Sequence, residues 1–224
     1  MDERYIRNIP AITEEEQKLL KSRRILIAGC GGLGGFLLEY MVRLGVGEIT
    51  AVDGDCFEAS NLNRQLLSSV EALGTPKALA ARDRAAAVNP DVRVIPVHAL
   101  LDEDNAEELV AGRDLVLDAL DNVPSRLLLE DVCEKCCVPL VHGAIQGWNA
   151  QVATVLPGSR LLHRLYGEGS GSFSKSALAF TPAFCAAVQS AEAAKLLCDR
   201  EPALAGKLLL ADLRSMSWDV IPLE

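Results

Sequence analysis

The sequence predicts an α/β fold: a doubly wound, mostly parallel sheet with antiparallel C-terminal strands. Three observations carry that expectation. Short apolar, β-rich runs alternate with helical stretches through most of the chain. A glycine-rich turn directly follows the first of those runs. The last strands follow one another closely, as antiparallel strands do.

Taken in order, residues 13–22 read as a helix, with Thr13 and Glu16 in the spacing of a capping box. Ile25 to Ala28 reads as a buried strand, a helix runs from about Leu33 to Leu44, and Ile49 to Val52 is the second strand. An irregular polar stretch precedes a helix from about Pro76 to Val88, which ends before Asn89-Pro90. Strands are expected at Val92 to Val97 and at 114–120, with a short helix at 104–110 between them. Pro124 opens a helix running to about Cys137, and "PLVHGAIQG" and "NAQVATVLPG" read as two further strands. The Gly/Ser-rich stretch 167–176 is expected to be flexible. An Ala-rich helix from about Pro182 to Cys198 follows, and "KLLLADL" and "SWDVIPL" close the chain. No internal repeat is visible, and residues 1–224 read as a single domain.

The turn after the first strand fits G-x-G-x-x-G at Gly29, Gly31 and Gly34, with Gly32 beside them. The first glycine allows a tight turn, the second lets backbone approach a phosphate, and the third lets helix pack on strand. The helix that follows points its amides and positive dipole end at the same place. Asp53 ends the second strand, 19 residues beyond Gly34, where a carboxylate can accept hydrogen bonds from ribose hydroxyls. The expectation is a Rossmann-like nucleotide-binding unit. The turn alone fits either a dinucleotide or ATP.

Composition narrows the classes. At 224 residues and 50% hydrophobic, the chain is long enough for one sizeable α/β core. A net charge of −9 argues against nucleic acid as the main partner. Its apolar runs are too short to cross a membrane. The charged start "MDERYIRNIP" does not read as a signal peptide. Seven cysteines, an odd number, point to reduced thiols and a cytoplasmic location. Cys133 and Cys136 form one C-x-x-C, but no second pair exists, so packing is favoured over zinc.

Two cations, Arg64 in "NLNRQ" and Lys77 in "GTPKA", follow the ribose-binding acid near where a phosphate chain would lie. Such groups stabilise charge developing on phosphates. "LVLDALDN" places Asp118 and Asp121 at a strand's C-terminal end, the edge where open α/β sheets bind ligands. A carboxylate there can hold Mg²⁺ against a triphosphate. Asp121 is the favoured one, with Asp118 given a packing or hydrogen-bonding role. His98, His142 and His163 share no metal or triad spacing and receive no role.

At these residues the chain resembles the ThiF/MoeB/HesA group of ubiquitin-activating-enzyme-like adenylyltransferases. "RYIR", "GCGGLG", "DGD", "NLNRQ", "PK", "ALDN" and "QSAEAAKLL" occur in that order. The resemblance implies ATP and Mg²⁺ as cofactors, with Gly29, Gly31, Gly32, Gly34, Asp53, Asn61, Gln65 and Asn122 around the nucleotide. It implies Arg64 and Lys77 on the phosphates, Asp121 on Mg²⁺, and Arg7 reaching into the partner subunit's site of a homodimer. The implied substrate is the C-terminal carboxylate of a small ubiquitin-like sulfur carrier ending in Gly-Gly, of thiamine or molybdopterin type. It also implies a crossover loop, here at about 158–180. The two C-x-x-C pairs that bind zinc in many bacterial members are missing, as is any cysteine in "SRLLHRLYGEGSGSFSKSALAFTP". An enzyme that stops at the adenylate, without structural zinc, is the expectation. An NAD-dependent Rossmann oxidoreductase is the alternative, but it leaves Arg64, Lys77 and Arg7 without work.

Overall fold

The computed structural model of the chain describes residues 2–167 and 176–223. One eight-stranded sheet organises them, in the spatial order β3-β2-β1-β4-β5-β6-β7-β8. The strands are β1 (Arg24–Ala28), β2 (Glu48–Val52), β3 (Arg93–Val97), β4 (Leu115–Asp118), β5 (Leu140–Gln146), β6 (Asn149–Val155), β7 (Lys207–Asp212) and β8 (Ser217–Pro222). The first five pair in parallel and the last three add antiparallel. The helices are α1 (Glu14–Ser22), α2 (Gly32–Leu44), α3 (Lys77–Val88), α4 (Ala106–Val110), α5 (Val123–Cys136), α6 (Leu161–Tyr166) and α7 (Phe180–Leu197).

Strand periodicity divides the core in two. Ile25, Ile27, Leu115 and Leu117 face a cluster containing Leu37, Leu38 and Met41 of α2 and Cys185, Ala186 and Ala193 of α7. Leu26, Ala28 and Val116 face the opposite cluster, with Val110 of α4, Leu129 of α5 and Leu161 of α6. Successive side chains on a strand point to opposite faces, and both faces here are covered, so these runs are apolar throughout. The chain winds outward from β1 in both directions, leaving the switch point between β1 and β4, where Ala28 pairs with Asp118.

Most expected elements form within a few residues of their predicted bounds. Thr13 and Glu16 make the reciprocal capping box at α1. Two features depart from expectation. Within the loop expected at about 158–180, residues 161–166 are helical. The Glu130 carboxylate accepts the Leu162 and His163 amides at 2.7 and 2.9 Å, capping α6, and Leu161 and Leu162 are fully buried. Of the stretch 167–176 expected to be flexible, residues 168–175 lie outside the described residues. The other departure is a 3-10 helix, Glu3–Asn8, at the N-terminus. Its Tyr5 is buried against Gly45 and its hydroxyl accepts from Asn89 Nδ2 at 2.7 Å. The segment is therefore anchored, although the sequence offers few apolar residues there.

Candidate active site

The glycine turn lies at the sheet's C-terminal edge, and each glycine of the motif has its own reason. Gly29 has φ +97°, and a Cβ there would stand 2.7 Å from the Ala119 carbonyl oxygen. A Cβ on Gly34 would stand 1.8 Å from the Gly29 carbonyl oxygen, so only glycine lets α2 seat on the turn. Around Gly31 the nearest group is the Gln65 amide at 3.5 Å, and around Gly32 it is Pro182 at 3.7 Å. Gly31 is also the N-cap of α2 and supplies no side chain to its first amides. Those donors and the helix dipole face the turn, an arrangement suited to phosphate.

Asp53 closes the turn from β2. Its Oδ2 accepts the Cys30 amide at 2.7 Å and its Oδ1 the Asp55 amide at 2.8 Å. The following irregular stretch folds back on itself: Phe57 is buried, its amide bonds Thr75 O, and the Lys77 amide bonds Asp55 O. That return brings the Lys77 ammonium to 2.8 Å from Asp55 Oδ2 and 3.9 Å from Asp53 Oδ1. Asp55, Cys56, Glu58, Asn61 and Lys77 line a cavity of about 180 Å3 beside it. Asn61 is buried and its Oδ1 accepts the Glu58 amide at 3.0 Å. Gln65 is also buried, and among the described residues its Oε1 has no hydrogen-bond partner. An unmatched buried amide oxygen is costly, and a bound polar group would satisfy it.

Arg64 is brought near but is not aimed inward. Its guanidinium donates to Ser60 O and Asn63 Oδ1, both at 2.9 Å, within its own turn. Asp121 and Asn122 sit after β4, on the loop whose Ala119 packs against Gly29. Asp121 is exposed and accepts from Asn122 Nδ2 at 3.4 Å; Asn122 Oδ1 caps α5 through the Ser125 amide at 2.9 Å. Arg7 is not brought to this site. Tyr5 fixes its segment at Gly45, the C-cap of α2, whereas the glycine turn lies at that helix's N-terminus. Thirteen residues of helix put about 20 Å between the two ends.

The structure adds a group that spacing did not reveal. Asp118 and His142 are register partners on β4 and β5, both fully buried, with His142 Nδ1 at 2.6 Å from Asp118 Oδ2. Burial outweighs the carboxylate and pushes the imidazole below its ordinary value. Nδ1 is then the protonated nitrogen, and Nε2 accepts from the Tyr166 hydroxyl at 3.0 Å. The sequence shows a polar residue in each apolar run, Asp118 ending "LVLD" and His142 interrupting "LVHGAI", but only the strand register brings the two together.

The thiols are mostly interior. Burial pushes the Cys133 thiol up, as it does that of Cys136 on the same helix, and pushes Cys185 up to about 12. Among the described residues no group of three or more His, Cys, Asp or Glu is arranged to hold a metal. Nor is any described helix long and apolar enough to cross a membrane.

A doubly wound sheet with a glycine turn at the head of α2, a strand-end acid and a buried lysine defines a fold of the Rossmann-like class. The chain belongs to the ThiF family, whose model matches residues 3–224. It is 40% identical to the SAMP-activating enzyme E1 of Haloferax volcanii, over 98% of this chain and 84% of that protein. It is 38% identical to the molybdopterin-synthase adenylyltransferase of Salmonella typhimurium, over 88% and 82% of the two chains. Identity is also 38% to the sulfur carrier protein adenylyltransferase of Thermus thermophilus, over 96% and 85%. Among solved structures, E. coli MccB with ATP superposes with a TM-score of 0.86 at 20% identity, covering all of this chain and 71% of that one. PaaA superposes at 0.80 and 22%, covering 93% of this chain and 66% of that one. These two show the fold.

Proposed function

We propose that this chain uses ATP to adenylate the C-terminal carboxylate of a small ubiquitin-like sulfur-carrier protein. Family membership and the named adenylyltransferase relatives support that class of reaction. The observation that carries it here is the Lys77 ammonium, side chain 8% exposed, held between Asp53 and Asp55 beside the glycine turn. An NAD-dependent hydride-transfer site does not require a buried cation at that position. The unpartnered Gln65 oxygen and the uncapped α2 amides fit a bound nucleotide as well.

In this reading Asp53 binds the ribose, and Gly29, Gly31, Gly32 and Gly34 admit the phosphates to the α2 amides. Lys77 and Arg64 neutralise phosphate charge, the latter after swinging from Ser60 and Asn63. Asn61, Gln65 and Asn122 line the pocket. Mg²⁺ held by Asp121 would offset further phosphate charge. A carrier carboxylate oxygen attacks the α-phosphorus, the bond to the bridging oxygen breaks, and pyrophosphate leaves with the electron pair. No proton moves, so positioning and charge neutralisation suffice. Arg7 acts on the partner subunit's site of a homodimer, since its own site is a helix length away. The carrier ends in Gly-Gly and serves thiamine or molybdopterin synthesis, and the cytoplasm keeps the chain's thiols reduced.

The test is ATP–pyrophosphate exchange with candidate carriers. Exchange that requires both Mg²⁺ and a carrier with an intact C-terminus is expected. Tight NAD binding without ATP binding would overturn the reading.

A further inference from the structure

Residue Leu120, one position before Asp121, has both backbone groups clamped by buried side chains. Its amide donates to Asp118 Oδ1 at 2.9 Å and its carbonyl accepts from Arg126 Nη2 at 2.6 Å. These two side chains belong to one closed circuit. Asp118 Oδ2 accepts from His142 Nδ1, His142 Nε2 accepts from the Tyr166 hydroxyl, and Tyr166 accepts from Arg126 Nη1 at 3.2 Å. Gln151 Nε2 also donates to Tyr166, at 2.7 Å. The circuit joins β4, β5, β6, α5 and α6 and closes on the turn carrying Asp121. The Asp118 and His142 side chains are wholly buried, so water cannot stand in for either of these two.

We propose that His142 is a positioning residue: through Asp118 it fixes the Leu120 peptide and so holds Asp121 in place to receive a divalent cation. The proposal rests on the reading of Asp121 as the Mg²⁺ residue. His142 does not touch nucleotide or metal. Among the described residues it supplies the one N–H within hydrogen-bond distance of Asp118 Oδ2, with Arg126 Nε standing off at 3.6 Å, and it leaves Oδ1 for Leu120. Without it only the Arg126 guanidinium faces Asp118 Oδ2, the carboxylate turns toward that guanidinium, and the Leu120 amide loses its charged acceptor. Partners hydrogen-bonded directly to a metal ligand commonly change its affinity by about 10–100-fold, and His142, acting through Asp118 and the Leu120 peptide, is expected at the low end of that range.

Three variants of the full chain test this: His142→Leu, His142→Asn and Tyr166→Phe. Two readouts are taken: Leu120 amide hydrogen exchange in metal-free protein, and the Mg²⁺ concentration giving half-maximal ATP binding by calorimetry. His142→Leu is expected to raise both by about tenfold or more. His142→Asn places an N–H where Nδ1 stood, and is expected to restore both to within about twofold. Tyr166→Phe removes the hydroxyl that donates to His142 and accepts from Arg126 and Gln151, and is expected to raise both by about fivefold. It keeps the Asp118–His142 contact, so it decides the matter if His142→Leu does not fold. ATP affinity without Mg²⁺, which Asp53 and the glycine turn carry, is expected to stay unchanged throughout. Folded variants that leave Leu120 exchange at the wild-type rate would overturn the proposal. So would an Asn variant no better than Leu, which marks His142 as packing alone. If wild-type protein shows no Mg²⁺-dependent ATP binding, the proposed function fails, and the exchange data still judge the Asp118–His142 link.

Discussion

The Lys77 ammonium stands 3.9 Å from the Asp53 carboxylate, with the two side chains 8% and 10% exposed. One is the group proposed to meet phosphate and the other the group proposed to meet ribose; Asp55 holds the ammonium at 2.8 Å, and the Cys30 and Asp55 amides hold the carboxylate. Lys77→Met keeps most of the volume and removes the charge. A fall of about a hundredfold or more in kcat/KM for pyrophosphate exchange is expected. Exchange within a few-fold of wild type would take Lys77 out of the phosphate site.

Gly34 separates steric necessity from conformational preference. Alanine there drives a Cβ to within 1.8 Å of the Gly29 carbonyl oxygen, so the turn or α2 must shift. Urea unfolding should show a loss of about 3 kcal/mol. Gly74 has φ +82° but nothing within 4 Å of a Cβ, so Gly74→Ala should cost only about 1 kcal/mol. Equal losses at the two positions would mean that close approach at Gly34 is not what selects glycine.

The contrast between Asp53 and Asp118 shows what the sequence made legible. The place of Asp53 was readable because it follows from spacing along one strand–turn–helix–strand unit, and the structure sets its carboxylate on the Cys30 amide of the glycine turn. Lys77 was readable as a cation after that unit, but its burial depends on Phe57 and Thr75 folding an irregular stretch back. The Asp118–His142 pair was not readable. The residues are 24 positions apart and meet only because β4 and β5 align in register. The capping of α6 escaped for the same reason, since Glu130 reaches Leu162 across 32 positions. Arg64 shows the converse: its motif identified it, while its side chain here bonds within its own turn.

His142 predicts a pH dependence of stability. Burial holds the folded imidazole below the ordinary value of 6.5, against the opposing pull of the Asp118 carboxylate. Arg126 adds to the depression, and Glu130 opposes it. Below about pH 6.5 the unfolded chain binds a proton that the folded chain does not. Stability contributed by the neutral ring is therefore present above 6.5 and lost as pH falls toward the depressed folded value. Glu16, held at about 2 by Arg200 and the Thr13 amide, acts in a separate window below 4.5. Melting temperatures between pH 7 and 5 should fall more steeply for wild type than for His142→Asn. Parallel curves would show that His142 does not stay neutral in the fold.

Cys56 offers a direct report on nucleotide. It is exposed and lines the same cavity as Lys77 and Asn61, whereas Cys30, Cys133, Cys185 and Cys198 are buried. Alkylation followed by peptide mapping should label Cys56 quickly in free protein, with slower labelling on adding ATP and Mg²⁺. Labelling of Cys137, exposed at the C-cap of α5, should not change with nucleotide. Protection of Cys137 and not Cys56 would put the nucleotide elsewhere.

Arg7 gives the sharpest test of a shared site. Tyr5 and Asn89 pin its segment to the end of α2 remote from the glycine turn, with Arg4 reaching Asp91 on the same side. Arg7 itself is exposed and, among the described residues, makes no ion pair. If it completes the partner subunit's phosphate site, Arg7→Ala and Asp121→Ala chains should each be inactive alone yet complement when mixed. A heterodimer would then hold one site with both residues wild type and one with neither. Activity of roughly half the wild-type value per heterodimer is expected where the sites work independently. Differently tagged chains, co-expressed and doubly purified, supply that heterodimer. Confirmed heterodimers without recovery would place Arg7 in its own chain's site, against a separation of about 20 Å along α2. A strictly monomeric yet active protein would end the idea of a partner's arginine altogether.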